Sequence, residues 1–267
     1  MASFEVDQAE GLRRMVAGPK PRLFTFLSTA PDEEKDDTLV NLGASLASSG
    51  STVLLLDAYP ELRGVAARLG ASDGATLLQV ARQERALNEA IVLMPQGFGI
   101  STLTHGSLEA ALHDADQARR LANTFGVIAT QTDILLVDAE LDADDALPLP
   151  AMGAAEIVIQ VSAGAASIKS AYAIIKRLHA RLGRRPYSVL VTGASEEMAQ
   201  QIYQNMMQAA SRYLSVPLSC LGTVPADEHL TRAAGLGRTV IDAFPMAGAS
   251  MAFRRLAGRL ALSDLGA

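Results

Sequence analysis

The stretch Leu23 to Ala47, LFTFLSTAPDEEKDDTLVNLGASLA, brings together residues of the types that handle phosphate. An apolar run reaches Leu27, a polar turn follows, and Lys35 stands in it among Asp32, Glu33, Glu34, Asp36 and Asp37. In a strand–turn–helix unit this turn, at the carboxyl end of the strand, is where phosphates are held. Such a cradle needs backbone N–H groups pointing inward at φ values that favour glycine. The turn contains no glycine, and Pro31 has no N–H and fixes φ at about −65°. A carboxylate facing a phosphate at roughly 5 Å, in an effective dielectric of about 20, costs about 3 kcal/mol, and Lys35 alone cannot offset several of them. The residues therefore predict an ordinary helix start. Thr29 or Ala30 leads into Pro31 at the first helical position, and the acids of the first turn favour the helix dipole. A second carboxylate, Asp57, closes the apolar run Thr52 to Leu56. It stands at a strand's carboxyl end, where α/β sheets do chemistry, and capping the next turn is its competing role.

Other reactive side chains are sparse. The single Cys220 sits in the apolar run Leu218 to Val224 and reads as a buried small hydrophobe. One cysteine excludes a disulfide scaffold or a cysteine-based zinc site within the chain. His105 and His113 are isolated and read as surface residues, so no metal site is expected. The acidic stretch Asp138 to Asp145 lacks the glycine and terminal glutamate of a calcium loop and reads as a solvated loop. No G-x-G-x-x-G fingerprint occurs. A net charge of −6 argues against broad nucleic-acid binding, which needs a basic face. MASFEVDQAEG has no apolar signal region and no uncharged run approaches a membrane span, which gives a cytoplasmic expectation.

The elements that must position these residues follow from periodicity. With 267 residues, 49% of them apolar and 19% charged, the chain suits one large α/β domain. Apolar runs at Leu23–Leu27, Thr52–Leu56, Thr132–Asp138, Ala155–Ser162, Tyr187–Val191 and Leu218–Asp227 alternate with amphipathic helices. Gly18-Pro19-Lys20-Pro21 is a breaker. It sets off residues 1–21, with a helix expected over Asp7–Ala17, from a domain over residues 22–267. A terminal helix at about residues 246–262 places Phe253, Leu256 and Leu260 on one side and Arg254, Arg255 and Arg259 on the other. It reads either as docked on the sheet or as a weak membrane-facing element.

The flanks of the first turn resemble the MinD/ParA group of deviant-Walker ATPases, whose turn reads S-G-K-G-G-V-G-K-T and whose helix continues V-N-L-A. Anchored on Val40-Asn41-Leu42, Ser28 falls on the motif serine and Lys35 on its P-loop lysine. Thr29, Pro31, Asp32 and Glu34 replace glycines, Ala30 replaces the signature lysine, and Asp36 replaces the magnesium-holding threonine. Asp57 and Ala58 match L-L-L-D-A-D with Tyr59 in place of the second aspartate. Asp138 matches the first residue of D-T-P-A-G, with the rest replaced, and Thr192 stands where an asparagine reads adenine. SIKSAYAIIK and Leu218 to Asp227, LSCLGTVPAD, keep the pattern of later family segments. Asp7, Gln8, Ala9, Leu12 and Arg13 match the D-Q-A-x-x-L-R element of the FlhG/FleN flagellar-number regulators.

The resemblance implies a three-layer, doubly wound, mostly parallel sheet of the P-loop NTPase type, with helices on both faces. It implies ATP and magnesium as the family's cofactors, and vestigial positions Lys35, Asp57 and Asp138 where no cofactor is expected. The implied partner is an FlhF-like GTPase, or a flagellar transcriptional activator, engaged through Asp7, Gln8, Ala9, Leu12 and Arg13. Direct nucleic-acid contact is not expected, and membrane contact only weakly, through Phe253, Leu256 and Leu260 at the inner membrane or cell pole. A monomer or an ATP-independent dimer is expected. Two alternatives stay open: a working ATPase with a rebuilt loop, and a regulator of another surface system such as cellulose secretion.

Overall fold

A computed structural model describes residues 21–59 and 63–262. The expected N-terminal helix and the D-Q-A-x-x-L-R match lie outside the described residues.

The apolar runs become strands β1 (Arg22–Ser28), β2 (Val53–Asp57), β3 (Val92–Leu93), β4 (Gly99–Thr102), β5 (Ile134–Asp138), β6 (Glu156–Ser162), β7 (Tyr187–Thr192) and β8 (Leu218–Val224). They form one eight-stranded sheet in the order β3-β4-β2-β5-β1-β6-β7-β8. Every pairing is parallel except the β3–β4 hairpin. Gly97 takes φ 93° in the hairpin turn, whereas Gly99 lies within β4, where a Cβ would sit 3.1 Å from both Ile91 and Leu54.

The helices are α1 (Asp32–Ser48), α2 (Val65–Arg68), α3 (Leu77–Ala81), α4 (Glu109–His113), α5 (Ala115–Ala129), α6 (Pro150–Ala154), α7 (Ala165–Leu182), α8 (Glu196–Leu214), α9 (Glu228–Gly235), α10 (Val240–Ala243) and α11 (Gly248–Leu262). Because side chains alternate along a strand, the sheet feeds two cores. Phe24, Phe26, Leu55, Leu136, Val158 and Leu190 meet α1 and α11 on one face. Leu54, Leu56, Leu135, Val137, Ile159 and Val191 meet α5, α7 and α8 on the other. The result is the three-layer, doubly wound architecture that the sequence implies.

Packing decides one open alternative, for docking and against a membrane face, and corrects one expectation. Phe253, Leu256 and Leu260 are 1–2% exposed in the α1-side core, so the apolar face of α11 is turned inward and unavailable to lipid. Cys220 is exposed, not buried, because β8 is an edge strand and the register with β7 slips beyond Val189. At that bulge Gly222 adopts φ 153°, and a Cβ there would lie 2.7 Å from Leu256. The edge irregularity is thus fixed by the helix packed against it. Among the described residues no helix is long and apolar enough to cross a membrane.

Candidate functional site

Parallel strands all deliver their carboxyl ends to the same side, and the neighbours β1, β5 and β2 bring Lys35, Asp138 and Asp57 together there. The turn after β1 is short. Thr29 N–H donates to the Gln160 carbonyl at 3.0 Å, its hydroxyl contacts Ser167 Oγ at 2.7 Å, and Ala30 N–H donates to Ser28 Oγ at 3.1 Å. Pro31 is the N-cap of α1, with φ −54° and ψ 148°. It therefore stands one residue ahead of the first helical position expected for it, because its extended ψ turns the chain into the helix only at Asp32. The backbone donors ahead of α1 are thus occupied or missing. The first helical amides belong to Asp32, Glu33 and Glu34, each of which brings a carboxylate with it.

Lys35 points into the sheet end. Its Nζ lies 2.8 Å from Asp138 Oδ2 and 3.6 Å from Asp36 Oδ1, and the Tyr59 ring covers it at 4.2 Å. Lys35 and Asp36 are each 4% exposed, Asp57 is 4% exposed and Asp138 is fully buried. Burial pushes the Asp138 carboxyl up to about 7 against the opposing pull of Lys35. It likewise raises Asp36 to about 6. Burial alone would lower the lysine, but the Asp138 charge and hydrogen bond outweigh it, and the net shift is upward.

Asp57 has a different occupation. Its carboxylate accepts from Tyr59 N–H at 3.0 Å and Ala66 N–H at 2.9 Å, and so caps α2. Gly64 allows this approach, since a Cβ there would come within 2.2 Å of the carboxylate. Burial still raises the Asp57 pKa, opposed by the two amide bonds. Tyr59 is held from the other side. Burial, and then the Glu140 carboxylate that its hydroxyl meets, raise its pKa.

What remains open is a cavity of about 110 Å³ lined by residues that include Ser28, Ala30, Lys35, Tyr59, Glu140 and Arg177. Small-molecule pockets run to about 300–1,000 Å³. Thr192 is also engaged: it is 2% exposed and its hydroxyl accepts from Gln160 Nε2 at 3.4 Å. The acidic loop beyond β5 is only partly solvated. Asp138 is buried, Asp142 accepts from its own loop at Asp144 and Ala146 N–H, and Asp145 is paired with Arg177. His105 and His113 are exposed, and among the described residues no cluster of three or more His, Cys, Asp or Glu could hold a metal ion.

No family model matches the chain. Curated relatives do. It is 30% identical over 227 residues to the antiactivator FleN of Pseudomonas aeruginosa, covering 85% of this chain and 81% of that protein. The chain belongs to the MinD/ParA family, in its FlhG/FleN branch. It is also 23% identical over 255 residues to the chloroplastic septum site-determining protein MinD homologue of Arabidopsis thaliana, covering 93% of this chain and 77% of the homologue. Among solved structures, MinD of Aquifex aeolicus superposes with a TM-score of 0.65 at 21% identity, over 90% of this chain and 96% of that one.

Within a MinD/ParA scaffold Lys35, in the first turn of α1 and not in the loop ahead of it, meets the carboxylate at the end of β5. Sequence reading placed Lys35, Asp57 and Asp138 at one sheet end. It did not anticipate that Tyr59 and Glu140 would cover them. The signal for those two was position alone, since each lies two residues beyond a buried strand-end aspartate. Asn41, inside the V-N-L anchor, proves structural. Its Oδ1 accepts from Val240 N–H at 2.7 Å, tying α1 to α10.

Proposed function

We propose that this chain is a non-hydrolysing regulator of the MinD/FlhG type, acting by docking on protein partners without turnover of nucleotide. The observation that carries the reading is the Lys35–Asp138 ion pair at 2.8 Å beneath Tyr59. The group that would meet a phosphate is neutralised from within, and the residues around it do not fit a nucleotide with magnesium. Asp36 is itself drawn to Lys35, Pro31 offers no N–H, and the remaining cavity of about 110 Å³ is too small.

The regulatory assignment is supported by likeness to FleN, an antiactivator. A further structural neighbour was solved as the MinC:MinD cell division complex of Aquifex aeolicus, so docking on a protein is within the scaffold's repertoire. In this reading the process controlled is flagellar number, placement or gene expression. The partner is an FlhF-like GTPase or a flagellar transcriptional activator, met through Asp7, Gln8, Ala9, Leu12 and Arg13. No ATP is needed to join subunits, so the protein works as a monomer or as an ATP-independent dimer.

The test is a pull-down with purified candidate GTPase or activator, comparing the full chain with a chain lacking residues 1–17. The full chain is expected to retain one of them and the truncated chain to lose it by tenfold or more, since an isolated apolar-and-arginine element carries most of such an interface. Equal retention by both chains rules out the N-terminal element as the contact.

A further inference from the structure

The buried charges at the carboxyl end of the sheet do not balance. Asp36, Asp57 and Asp138 face the single ammonium of Lys35, and none of the four is more than 4% exposed. Asp57 is met by two backbone amides, whereas Asp138 Oδ1 is buried with no hydrogen-bond partner among the described residues. Fully ionised, three carboxylates against one ammonium would leave two negative charges uncompensated and out of water, a state that burial opposes. The cluster has two ways out: it keeps protons, or it admits water. Burial accordingly lifts the Asp138 carboxyl to about 7 and that of Asp36 to about 6.

One wall of this cluster is built from loop side chains. The Tyr59 ring lies 4.2 Å over Lys35 Nζ, its N–H donates to Asp57 Oδ1 at 3.0 Å, and its hydroxyl meets the Glu140 carboxylate. Glu140 is exposed and stands two residues beyond Asp138. Tyr59 thus ties the loop after β2 to the loop after β5 across the top of the ion pair. Beside it lies the cavity of about 110 Å³, lined by Lys35, Tyr59 and Glu140 among others and polar enough to take water. Other charges stand around the cluster. Arg68 faces Asp36, His105 faces Asp57 and Asp32 faces Tyr59, while Arg177, which lines the cavity, is held by Asp145.

We propose that Tyr59 and Glu140 form a lid over Lys35 and Asp138, closed while the cluster keeps an extra proton and opened when that proton leaves. Loss of the proton sets excess negative charge beside the Glu140 carboxylate, and swinging the Tyr59 ring aside lets water reach the buried carboxylates. The closed form binds one proton more than the open form. Raising the pH therefore favours opening, by at most about tenfold in the open-to-closed ratio per pH unit. The lid goes beyond the docking reading, because it makes the surface at the carboxyl end of the sheet differ between acid and alkaline conditions. Lys35 and Asp138 are covered in the first and reached by water in the second.

The chain has five tyrosines, few enough for each ring to be followed by NMR in the full chain carrying 13C-labelled tyrosine. Relaxation by an uncharged gadolinium chelate reports each ring's access to solvent, and single tyrosine-to-phenylalanine substitutions assign the signals. Tyr187, 1% exposed, and Tyr213, 68% exposed, serve as buried and open references. Relaxation of the Tyr59 ring is expected to be several-fold greater at pH 8 than at pH 5, while Tyr187 stays protected at both. Asp138→Asn, which removes the charge and keeps the shape, should hold Tyr59 protected at pH 8, and His105→Gln should leave the response in place. Equal protection of Tyr59 at the two pH values overturns the proposal, and that comparison stands even where Asp138→Asn does not fold. A response that survives Asp138→Asn overturns it too, as does one abolished by His105→Gln. Exposure of Tyr187 together with Tyr59 would be unfolding, not a lid, and counts against it equally.

Discussion

Lys35→Met is expected to destabilise the folded chain by about 3–5 kcal/mol at neutral pH, the cost of removing one partner from a buried ion pair. The lysine is 4% exposed and faces Asp138 and Asp36. Methionine keeps most of its volume and removes its charge, leaving those carboxylates buried without a counter-ion. A chain stabilised by the usual 5–15 kcal/mol would lose a large share. The double variant Lys35→Met with Asp138→Leu should recover most of that loss, because replacing both members of a buried pair is often neutral. Urea unfolding of the three proteins measures this. A cost under about 1 kcal/mol for Lys35→Met, in the range of a solvated surface pair, would mean that the lysine is not locked in place.

The same cluster predicts a stability that falls as pH rises through neutrality. Lys35, Asp36, Asp57 and Asp138 are all buried, three carboxylates against one ammonium, and only Asp57 is met by two backbone amides. Burial raises Asp138 to about 7 and Asp36 to about 6 from 3.8, against the opposing pull of Lys35 and with a smaller push from the neighbouring carboxylates. Between about pH 4 and pH 7 the folded chain then holds protons that the unfolded chain has released. Bound protons are more numerous in the native state, so unfolding free energy declines with pH, at most by about 1.4 kcal/mol per unit for each such proton. The contribution is complete below the unfolded value of 3.8 and lost as pH passes the folded values. Lys35, shifted upward, keeps its own contribution until pH rises above the ordinary lysine value of 10.5. The urea midpoint at pH 5 is expected to exceed that at pH 8, and Asp138→Asn should flatten the limb between pH 6 and 8. A wild-type midpoint unchanged between pH 5 and 8 would show that the cluster binds no extra proton.

The fold was legible because its signals are local and repeated. Runs such as Leu54–Leu56 and Ile134–Val137 are buried on both faces of the sheet, and β-rich apolar runs alternating with amphipathic helices leave few other topologies. The lack of an N–H donor just ahead of α1 was legible from Pro31, since a missing N–H is a property of residue type. The destination of the Lys35 side chain was not. It depends on β5 lying beside β1, a pairing between residues more than a hundred positions apart. Phe253, Leu256 and Leu260 were ambiguous for a related reason: an amphipathic stripe states that a face is covered, and only the packing of α11 on α1 and β8 says by what. Cys220 misled because the apolar run around it belongs to an edge strand with a bulge.

The central claim is that the turn before α1 is filled by the protein's own charges and cannot take a triphosphate. It is tested most directly by thermal unfolding of the full chain across a series of ATP and ADP concentrations up to several millimolar with magnesium. A ligand at about a hundred times its dissociation constant would add about 2.7 kcal/mol and raise the melting temperature saturably. The ion-paired site predicts no nucleotide-dependent rise. A saturable rise, abolished by Lys35→Met in protein that remains folded, would contradict it.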